Sequence, residues 1–314
     1  MIGEALVDII AGPDSPQRSH PGGSPANVAL GLGRLDHPVR LATRLGRDHF
    51  GSQVQKHLED SGVDLTPGSV IDAPTSTATA VLDSAGAANY TFDITWALSK
   101  GVEEALRDGP PAHVHTGSIA TALSPGADQV FNILHALRSS ATLSYDPNLR
   151  PALLRTAEQE RERVEQLVAI SDVVKASEED LAWLHPGEAP DKTAARWAGN
   201  GPSLVVLTLG ANGARAWWRH GCQDIAPVTV QVKDTVGAGD AFMAGLTSRL
   251  LHAGLLAGGP GAEAATARAA LRAATDTDRL PPVLSDALAV SARMAAFTCA
   301  REGADPPTAA KQWT

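Results

Sequence analysis

The chain has 314 residues, of which 43% are hydrophobic and 19% are charged, and its formal net charge at pH 7 is -9. These values are typical of a soluble globular protein with a core of ordinary size. The negative charge, without any block of Lys and Arg, argues against nucleic acid as a partner. The two cysteines, Cys222 and Cys299, fit no metal-site or disulfide pattern. With neither a signal peptide nor a membrane span in the sequence, they predict reduced thiols in a cytoplasmic protein.

Short apolar strand patterns alternate with longer helical patterns along most of the chain. Strands are predicted at Glu4–Ile10, Ala141–Tyr145, Asp172–Lys175 and Leu204–Leu209. Helices are predicted at Ala26–Leu35, Gly51–Ser61, Gly126–Leu137, Glu158–Ile170 and Ala241–Leu251. This alternation predicts a layered α/β fold in which a central, mostly parallel sheet is flanked by helices.

The first helix follows the sequence PGGSPAN. Ser24 is predicted as its N-cap and Pro25 as its first helical residue. Gly22 and Gly23 permit a close backbone approach, and Asn27 offers both a hydrogen-bond donor and an acceptor. Taken alone, this motif suits an ordinary helix start as well as it suits a binding site.

The segment Val70–Asp93 interrupts the alternation. It is rich in Thr and β-branched residues, contains no helical pattern, and has a turn sequence at Ser84–Gly86, so it predicts a β-hairpin. The apolar face of this hairpin must either extend the main sheet or stand off it. Together with a polar stretch at about residues 10–20, residues 70–93 are predicted to form a small β lid.

Polar residues lie near or just beyond the ends of strand patterns: Asp8 near the end of the first strand, Thr116–Ser118 after the run His113–His115, and Asp146–Arg150 after Ala141–Tyr145. Because ligands bind at the carboxyl ends of strands in open α/β sheets, these groups could converge on one crevice. Each could equally be an ordinary turn or capping residue. His113 and His115 share one face of a strand, but we interpret both as structural because further metal ligands are missing.

The late sequence DTVGAGDAFMAGL places three small residues immediately before Asp240. Apolar residues spaced by four predict that a helix starts near Gly239. The free N–H groups of that helix start could hold an anion, although a tight turn with an acidic residue at the positive helix end is the plainer interpretation. Neither a P-loop nor a GxGxxG motif is present, so a nucleotide would need another arrangement. The loop Gly210–Gly213 is either a hairpin turn or a place where the backbone approaches a flat ligand.

Two of these motifs, GGSPANVALGLGRL and DTVGAGDAFMAGL, together resemble the two signatures of the PfkB (ribokinase-like) family of carbohydrate kinases. The resemblance runs from Ile2 to about Pro307. It implies a Rossmann-like ribokinase fold, with one α/β kinase domain over residues 1–314 and the β lid inserted in it. It also implies ATP and a small sugar as ligands, with Mg²⁺ as cofactor and K⁺ as a further candidate.

Within the family, the segments GEALVDII, YTFDITW, DPNLRPAL, KASEEDLAWL and FTCAREGADPPT are most similar to fructokinases. This similarity implies transfer of the γ-phosphoryl group of ATP to a primary hydroxyl, with conversion of fructose to fructose 6-phosphate as the leading case. The same fold could instead act on 2-keto-3-deoxygluconate, ribose or a nucleoside. A catalytically silent nucleotide- or sugar-binding regulator is the alternative from another class.

The resemblance also implies roles for individual residues. The amides of Gly237, Ala238, Gly239 and Asp240 would hold the γ-phosphate, while the Asp240 carboxylate would accept the proton of the sugar hydroxyl. The residues implied to bind the sugar are Asp8, Gly22, Gly23, Asn27 and Arg150. Those implied to bind the nucleotide are Lys175, Thr208, Gly210, Gly213 and Gly239.

Two further expectations concern metals, and one concerns association. The family's NxxE motif reads Ser177 to Asp180 here, and the shorter Asp180 suits Mg²⁺ held through water. Asp234 is the side chain expected at a monovalent cation site. The edge strands of the lid could pair with those of a second lid, which would give a homodimer.

Overall fold

A computed structural model of the chain describes residues 1–12, 15–82, 88–258 and 263–309. The described strands are β1 (Leu6–Gly12), β2 (Ser15–Gly22), β3 (Val39–Leu41), β4 (Leu45–Gly46), β5 (Val63–Leu65), β6 (Val70–Ile71), β7 (Thr77–Leu82), β8 (Ala88–Asp93), β9 (His113–Gly117), β10 (Thr142–Asp146), β11 (Val173–Ser177), β12 (Leu204–Thr208), β13 (Ala214–Trp218) and β14 (Gly221–Ile225). The described helices are α1 (Ser24–Gly33), α2 (His49–Glu59), α3 (Lys100–Asp108), α4 (Gly126–Leu137), α5 (Ala157–Ile170), α6 (Glu178–Leu184), α7 (Pro190–Gly199), α8 (Ala238–His252), α9 (Ala264–Thr275) and α10 (Pro282–Cys299).

The main sheet has six strands in the order β14-β13-β12-β11-β10-β9. Strands β9 to β12 run parallel to their neighbours, and β13 and β14 add antiparallel pairs at one edge. At the opposite edge, next to β9, the Ile2 N–H donates to His115 O at 3.0 Å. Ile2 also forms an isolated parallel β-bridge with Ala42. The predicted α/β architecture with a mostly parallel sheet is confirmed.

Helices cover both faces of this sheet. Alternate residues such as Val174 and Val205 belong to one core with α4 to α7, whereas Val173 and Val206 belong to a second core with α8 to α10. Successive side chains of a strand point to opposite faces, so a strand covered on both sides must be apolar throughout. This requirement explains the continuous apolar run LVVL in β12.

A second sheet has four strands in the order β2-β1-β7-β8. Strand β1 pairs antiparallel with β2 and parallel with β7, and β7 pairs antiparallel with β8. Val7 and Ile9 pack in one core with Val54 and Leu58 of α2. The predicted turn at Ser84–Gly86 lies outside the described residues.

The interpretation of the first strand was wrong in one respect. Asp8 does not lie at the carboxyl end of a main-sheet strand, because β1 is a central strand of the four-stranded sheet. Only Met1 to Gly3 run beside the main sheet, and the chain crosses to the second sheet within a few residues. The run ALVDII is apolar enough to be buried in either sheet, so the pattern could not distinguish them. Within the described residues, no helix combines the length and apolarity needed to cross a membrane.

Candidate active site

The start of α8 presents unpaired backbone amides. Gly237 is the N-cap and adopts a left-handed conformation with φ 73°, after which Ala238 begins the helix. The Ala238 N–H donates to Thr235 O at 3.2 Å. The next two N–H groups, of Gly239 and Asp240, have no hydrogen-bond acceptor among the described residues. Such a helix start can bind an anion.

The Asp240 carboxylate is fixed from α1. Its Oδ1 accepts a hydrogen bond from Ser24 Oγ at 2.6 Å, and its Oδ2 accepts one from Asn27 Nδ2 at 2.8 Å. Asp240 is only 7% exposed. The carboxylate is therefore held in one orientation beside the unpaired amides of Gly239 and Asp240, which we call the amide cluster. The two sequence motifs meet at this point.

The prediction that Ser24 caps α1 was wrong. Gly23 is the N-cap, with φ 102°, and Ser24 is the first helical residue. A Cβ at Gly23 would lie 2.6 Å from Glu4 O, so no larger residue fits there. The Ser24 hydroxyl is consequently free to reach Asp240, a contact 216 residues away that a capping pattern cannot reveal.

Lys175 and Asp146 form a buried ion pair beneath the helix start. Their Nζ and Oδ2 atoms are 2.8 Å apart, and a Cβ at Gly239 would lie 2.8 Å from the same Nζ. Burial raises the pKa of Asp146 to about 6, although the Lys175 charge opposes the shift. Burial alone would lower the pKa of Lys175, but the attraction of Asp146, Asp180 and Asp240 raises it. Near pH 7 the pair is therefore charged, and a cation lies against the amide cluster.

Asp180 is tied into the connection between β11 and α6. Its Oδ2 accepts from the Ser177 N–H at 2.9 Å and from Ser177 Oγ at 2.7 Å, while its Oδ1 accepts from the Leu149 N–H at 2.7 Å. Ser177 and Asp180 thus form a capping box. The shortened NxxE motif orders the loop that follows β10.

The carboxylates around Lys175 fit a magnesium ion that arrives with a nucleotide. Asp146 Oδ1 is buried and has no hydrogen-bond partner among the described residues, so one carboxylate oxygen remains available. No group of three or more metal-ligating side chains is preassembled in the described part of the chain. Mg²⁺ commonly takes one or two carboxylates and completes its shell with water and substrate phosphates, which matches this arrangement.

The four-stranded sheet brings Asp8 towards the same region. A Cβ at Gly22 would lie 2.1 Å from Asp8 Oδ2, so the glycine leaves space for that carboxylate. Burial raises the pKa of Asp8, and the nearby Arg150 and His20 charges oppose the rise. Arg150 lies at the loop after β10, where its Nη1 donates to Asn148 Oδ1 at 2.7 Å. Sequence reasoning missed His20, which the antiparallel register of β1 and β2 places directly opposite Asp8.

The Gly210–Gly213 loop connects two antiparallel strands, so the hairpin alternative is confirmed, while contact with a flat ligand stays a prediction. Strands β12 and β13 pair antiparallel from Thr208 opposite Ala214. Gly213 is required by packing, since a Cβ there would lie 2.2 Å from Ile225 O. Gly210 has φ 54° and open space around it. Thr208 also lies at the carboxyl end of its strand, opposite Ser177 of β11.

The loop of residues 226–237 leads from β14 to α8. Asp234 fixes it, because its Oδ1 accepts from the Val236 N–H at 3.0 Å and its Oδ2 accepts from the Gly303 N–H at 2.8 Å. The loop also carries three exposed valines, namely Val228, Val232 and Val236.

His113 and His115 are held inside the main sheet. His113 Nδ1 lies 3.0 Å from Thr142 Oγ1, and His115 Nδ1 lies 3.0 Å from Ser144 Oγ. Burial lowers the pKa of His113 to about 3 and holds that of His115 well below its usual value. Both are neutral and hydrogen-bonded to side chains of β10, and His115 is buried, in agreement with the structural interpretation.

Comparisons with known proteins show which sequences and structures the chain resembles. The family model for pfkB family carbohydrate kinases matches residues 2–278. A fructokinase of Rhizobium leguminosarum bv. trifolii is 32% identical over 262 residues, covering 81% of this chain and 80% of that protein. A structure of fructokinase with bound ATP from Xylella fastidiosa has a TM-score of 0.79 at 25% identity, over 96% of this chain and 92% of that one. A fructokinase double mutant from Vibrio cholerae O395, bound to fructose, ADP and potassium ion, has a TM-score of 0.75 at 28% identity, with the same coverage.

Proposed function

The chain belongs to the PfkB family of carbohydrate kinases, and from that premise we propose that it phosphorylates fructose with ATP to give fructose 6-phosphate. The observation that carries the proposal is the Asp240 carboxylate, fixed by Ser24 and Asn27 directly beside two unpaired amides. A protein that only bound ligands would have no use for a base in that position.

The reaction follows from this arrangement. Asp240 accepts the proton of the primary hydroxyl as the sugar oxygen forms a bond to the γ-phosphorus, and the bond to the bridging oxygen of ADP breaks. The amides of Gly239 and Asp240 would hold the transferring phosphoryl group, whose negative charge a helix start stabilises. Lys175 adds a positive charge beneath them, and Asp146 keeps that ammonium in place. The loose transition state of phosphoryl transfer makes such alignment more important than a strong base.

Several residues are proposed to bind and orient the substrates. Asp8, Gly22, Gly23 and Asn27 would contact sugar hydroxyls, and Arg150 lies close enough to Asp8 to approach the sugar or the phosphoryl group. Thr208 is the last residue of β12, and Gly210 and Gly213 lie in the loop that joins β12 to β13. A nucleotide would bind at this carboxyl end of the strand. The exposed valines of the 226–237 loop would cover the adenine ring.

Metal ions complete the proposal. Mg²⁺, when bound, neutralises charge on the β- and γ-phosphates; Asp146 and Asp180 would hold it, Asp180 through water. Asp234 is the proposed side chain of a monovalent cation site, and one solved relative binds potassium ion. Equal rates in potassium and in a large organic cation would remove the monovalent site from the proposal.

The four-stranded sheet would serve as the lid of a single kinase domain. Closing it over the sugar would exclude water and limit wasteful hydrolysis of ATP. Its outer strands, β2 and β8, would pair with a second copy in a homodimer. Light scattering at working concentration tests this association, and a monomer would disprove it.

Substrate identity is tested by ADP production with Mg-ATP across fructose, ribose, 2-keto-3-deoxygluconate, glucose and adenosine. We expect turnover on fructose, with the phosphate at C6 by NMR, and a loss on the order of 10³-fold in Asp240→Asn. Asp286→Asn changes an exposed aspartate on α10 and is the matched control, with unchanged turnover expected. Faster turnover of 2-keto-3-deoxygluconate than of fructose would indicate instead a pocket in which Arg150 and His20 bind the substrate carboxylate. Ligand binding without turnover would indicate the regulator instead.

A further inference from the structure

A small segment near the chain's C-terminus, residues 299–306, touches both the loop before α8 and the end of α1. Arg34 follows α1 as its C-cap, and its side chain is only 17% exposed. Its Nη1 donates to Asp305 Oδ1 and to Pro306 O, and its carbonyl accepts from the Ala309 N–H at 2.8 Å. Asp305 and Pro306 of the segment, and Ala309 just beyond it, are therefore all bonded to Arg34 at the end of α1.

Asp305 is the centre of this attachment. Its Oδ2 accepts a second charged hydrogen bond, from Arg301 Nη1 at 2.7 Å. Burial alone would raise the pKa of Asp305, but the hydrogen bonds from Arg34 and Arg301 hold it below its usual value. The carboxylate is thus ionised at neutral pH and holds two arginines together.

The other side of the segment supports the loop that starts α8. Cys299 O accepts from the Lys233 N–H at 2.8 Å and from the Asp234 N–H at 3.2 Å. The Gly303 N–H donates to Asp234 Oδ2 at 2.8 Å. Gly237 packs tightly against the segment, because a Cβ added at Gly237 would lie only 2.5 Å from Ala304 Cβ. The N-cap of α8 therefore lies directly on the segment.

We propose that Arg34 and Asp305 are a positioning pair, which presses residues 299–306 against Gly237 and so sets the position of the amide cluster relative to Asp240. The proposal rests on the kinase function given above. Helix α1 holds the base at its first turn through Ser24 and Asn27 and holds the amide cluster from its other end through Arg34. One rigid helix of ten residues thereby fixes both parts of the site. A displacement of the amides by about 1 Å is enough to slow a reaction substantially.

The test uses Arg34→Met, Asp305→Asn and the double variant. We expect kcat to fall about tenfold in Arg34→Met. The KM for the sugar should change less than about twofold, since the proposed sugar-binding residues do not contact Arg34. The double variant should be no slower than Arg34→Met alone, because both changes break the same link. Arg249→Met is the matched control, since it removes an exposed ion pair to Asp286 between α8 and α10. It should leave kcat unchanged.

Hydrogen–deuterium exchange provides a readout that does not depend on turnover. Arg34→Met should speed amide exchange in residues 233–240, whereas Arg249→Met should not. An unchanged kcat, additive losses in the double variant, or unchanged exchange in residues 233–240 would overturn the positioning pair. If the wild type turned over no substrate at all, the function would fail while the exchange result still decided the proposal on its own.

Discussion

Asp240 owes its position to two neutral donors from a helix more than two hundred residues away in sequence. Ser24 Oγ is the closer donor, at 2.6 Å from Oδ1. Ser24→Ala should lower kcat about tenfold, because a hydrogen bond to a charged group is lost while Asn27 still holds the other oxygen. Steady-state rates at saturating substrates measure this loss. Ser52→Ala, at an exposed hydroxyl on α2, should have no effect, and equal rates in both variants would show that Ser24 does not orient the base.

Glu4 is a second residue whose position has a measurable consequence. It is 3% exposed, its Oε2 accepts from the Ala120 N–H at 3.0 Å, and its Oε1 has no partner among the described residues. Burial raises its pKa to about 7, from an ordinary value of 4.5, despite hydrogen bonds that favour the ionised form. The folded state therefore binds more protons than the unfolded state between these pH values, and stability falls as the pH rises through that window.

Glu4→Gln should remove this penalty, because the amide keeps an acceptor for the Ala120 N–H and carries no charge. The difference in the free energy of unfolding between the variant and the wild type should therefore grow by about 2 kcal/mol, in favour of the variant, as the pH rises from 5 to 8. Urea titrations at both pH values measure the gain. Glu104→Gln, at an exposed residue of α3, should show the same free energy as the wild type at each pH. A gain for Glu4→Gln that did not depend on pH would contradict a titrating Glu4.

At the scale of elements, helices and buried strands were the predictable part. The α4 boundaries Gly126–Leu137 agree with the structure, and β12 differs by one residue, because period and turn residues delimit both. Sheet membership was not predictable for β1, since an apolar run with one Asp suits either sheet. The site residues of the two glycine motifs could be found, because they show helix starts with small side chains. The Lys175–Asp146 pair and the Ser24 contact depend on tertiary distance, which no local pattern encodes.

The start of α8 makes a prediction of its own. Gly237→Ala should destabilise the protein and lower kcat, because the left-handed φ strains any side chain and the new Cβ would meet Ala304. Gly254→Ala, just beyond the other end of α8, has a similar φ of 68° but nothing within 4 Å of its Cβ. Its free energy of unfolding should fall by only about 1 kcal/mol, the cost of placing an alanine at a positive φ, and its kcat should be unchanged. Similar losses of stability and rate in the two variants would show that the Ala304 contact has no effect.

Across the whole molecule, the charges of the candidate active site and a buried carboxylate that joins helices to strands lie at opposite ends of the main sheet. Asp146, which holds Lys175, is the last residue of β10, whereas Asp172 immediately precedes β11. Asp172 is 2% exposed and accepts from Arg138 of the α4 end, from Arg268 of α9 and from the Leu143 N–H at 2.8 Å. This one carboxylate therefore joins two helices to two strands.

Asp172→Ala should lower the free energy of unfolding by about 3 kcal/mol, because it leaves two half-buried guanidinium groups and a buried N–H without their acceptor. At a temperature where the variant is folded, its kcat should equal that of the wild type, since the active site is at the other end of the strands. Urea unfolding and steady-state rates measure the two quantities. Asp191→Ala breaks an ion pair with Arg215 in which the aspartate side chain is 50% exposed, and should cost less than about 1 kcal/mol. Equal destabilisation in the two variants, or a slower reaction in the folded Asp172 variant, would contradict this separation of stability from catalysis.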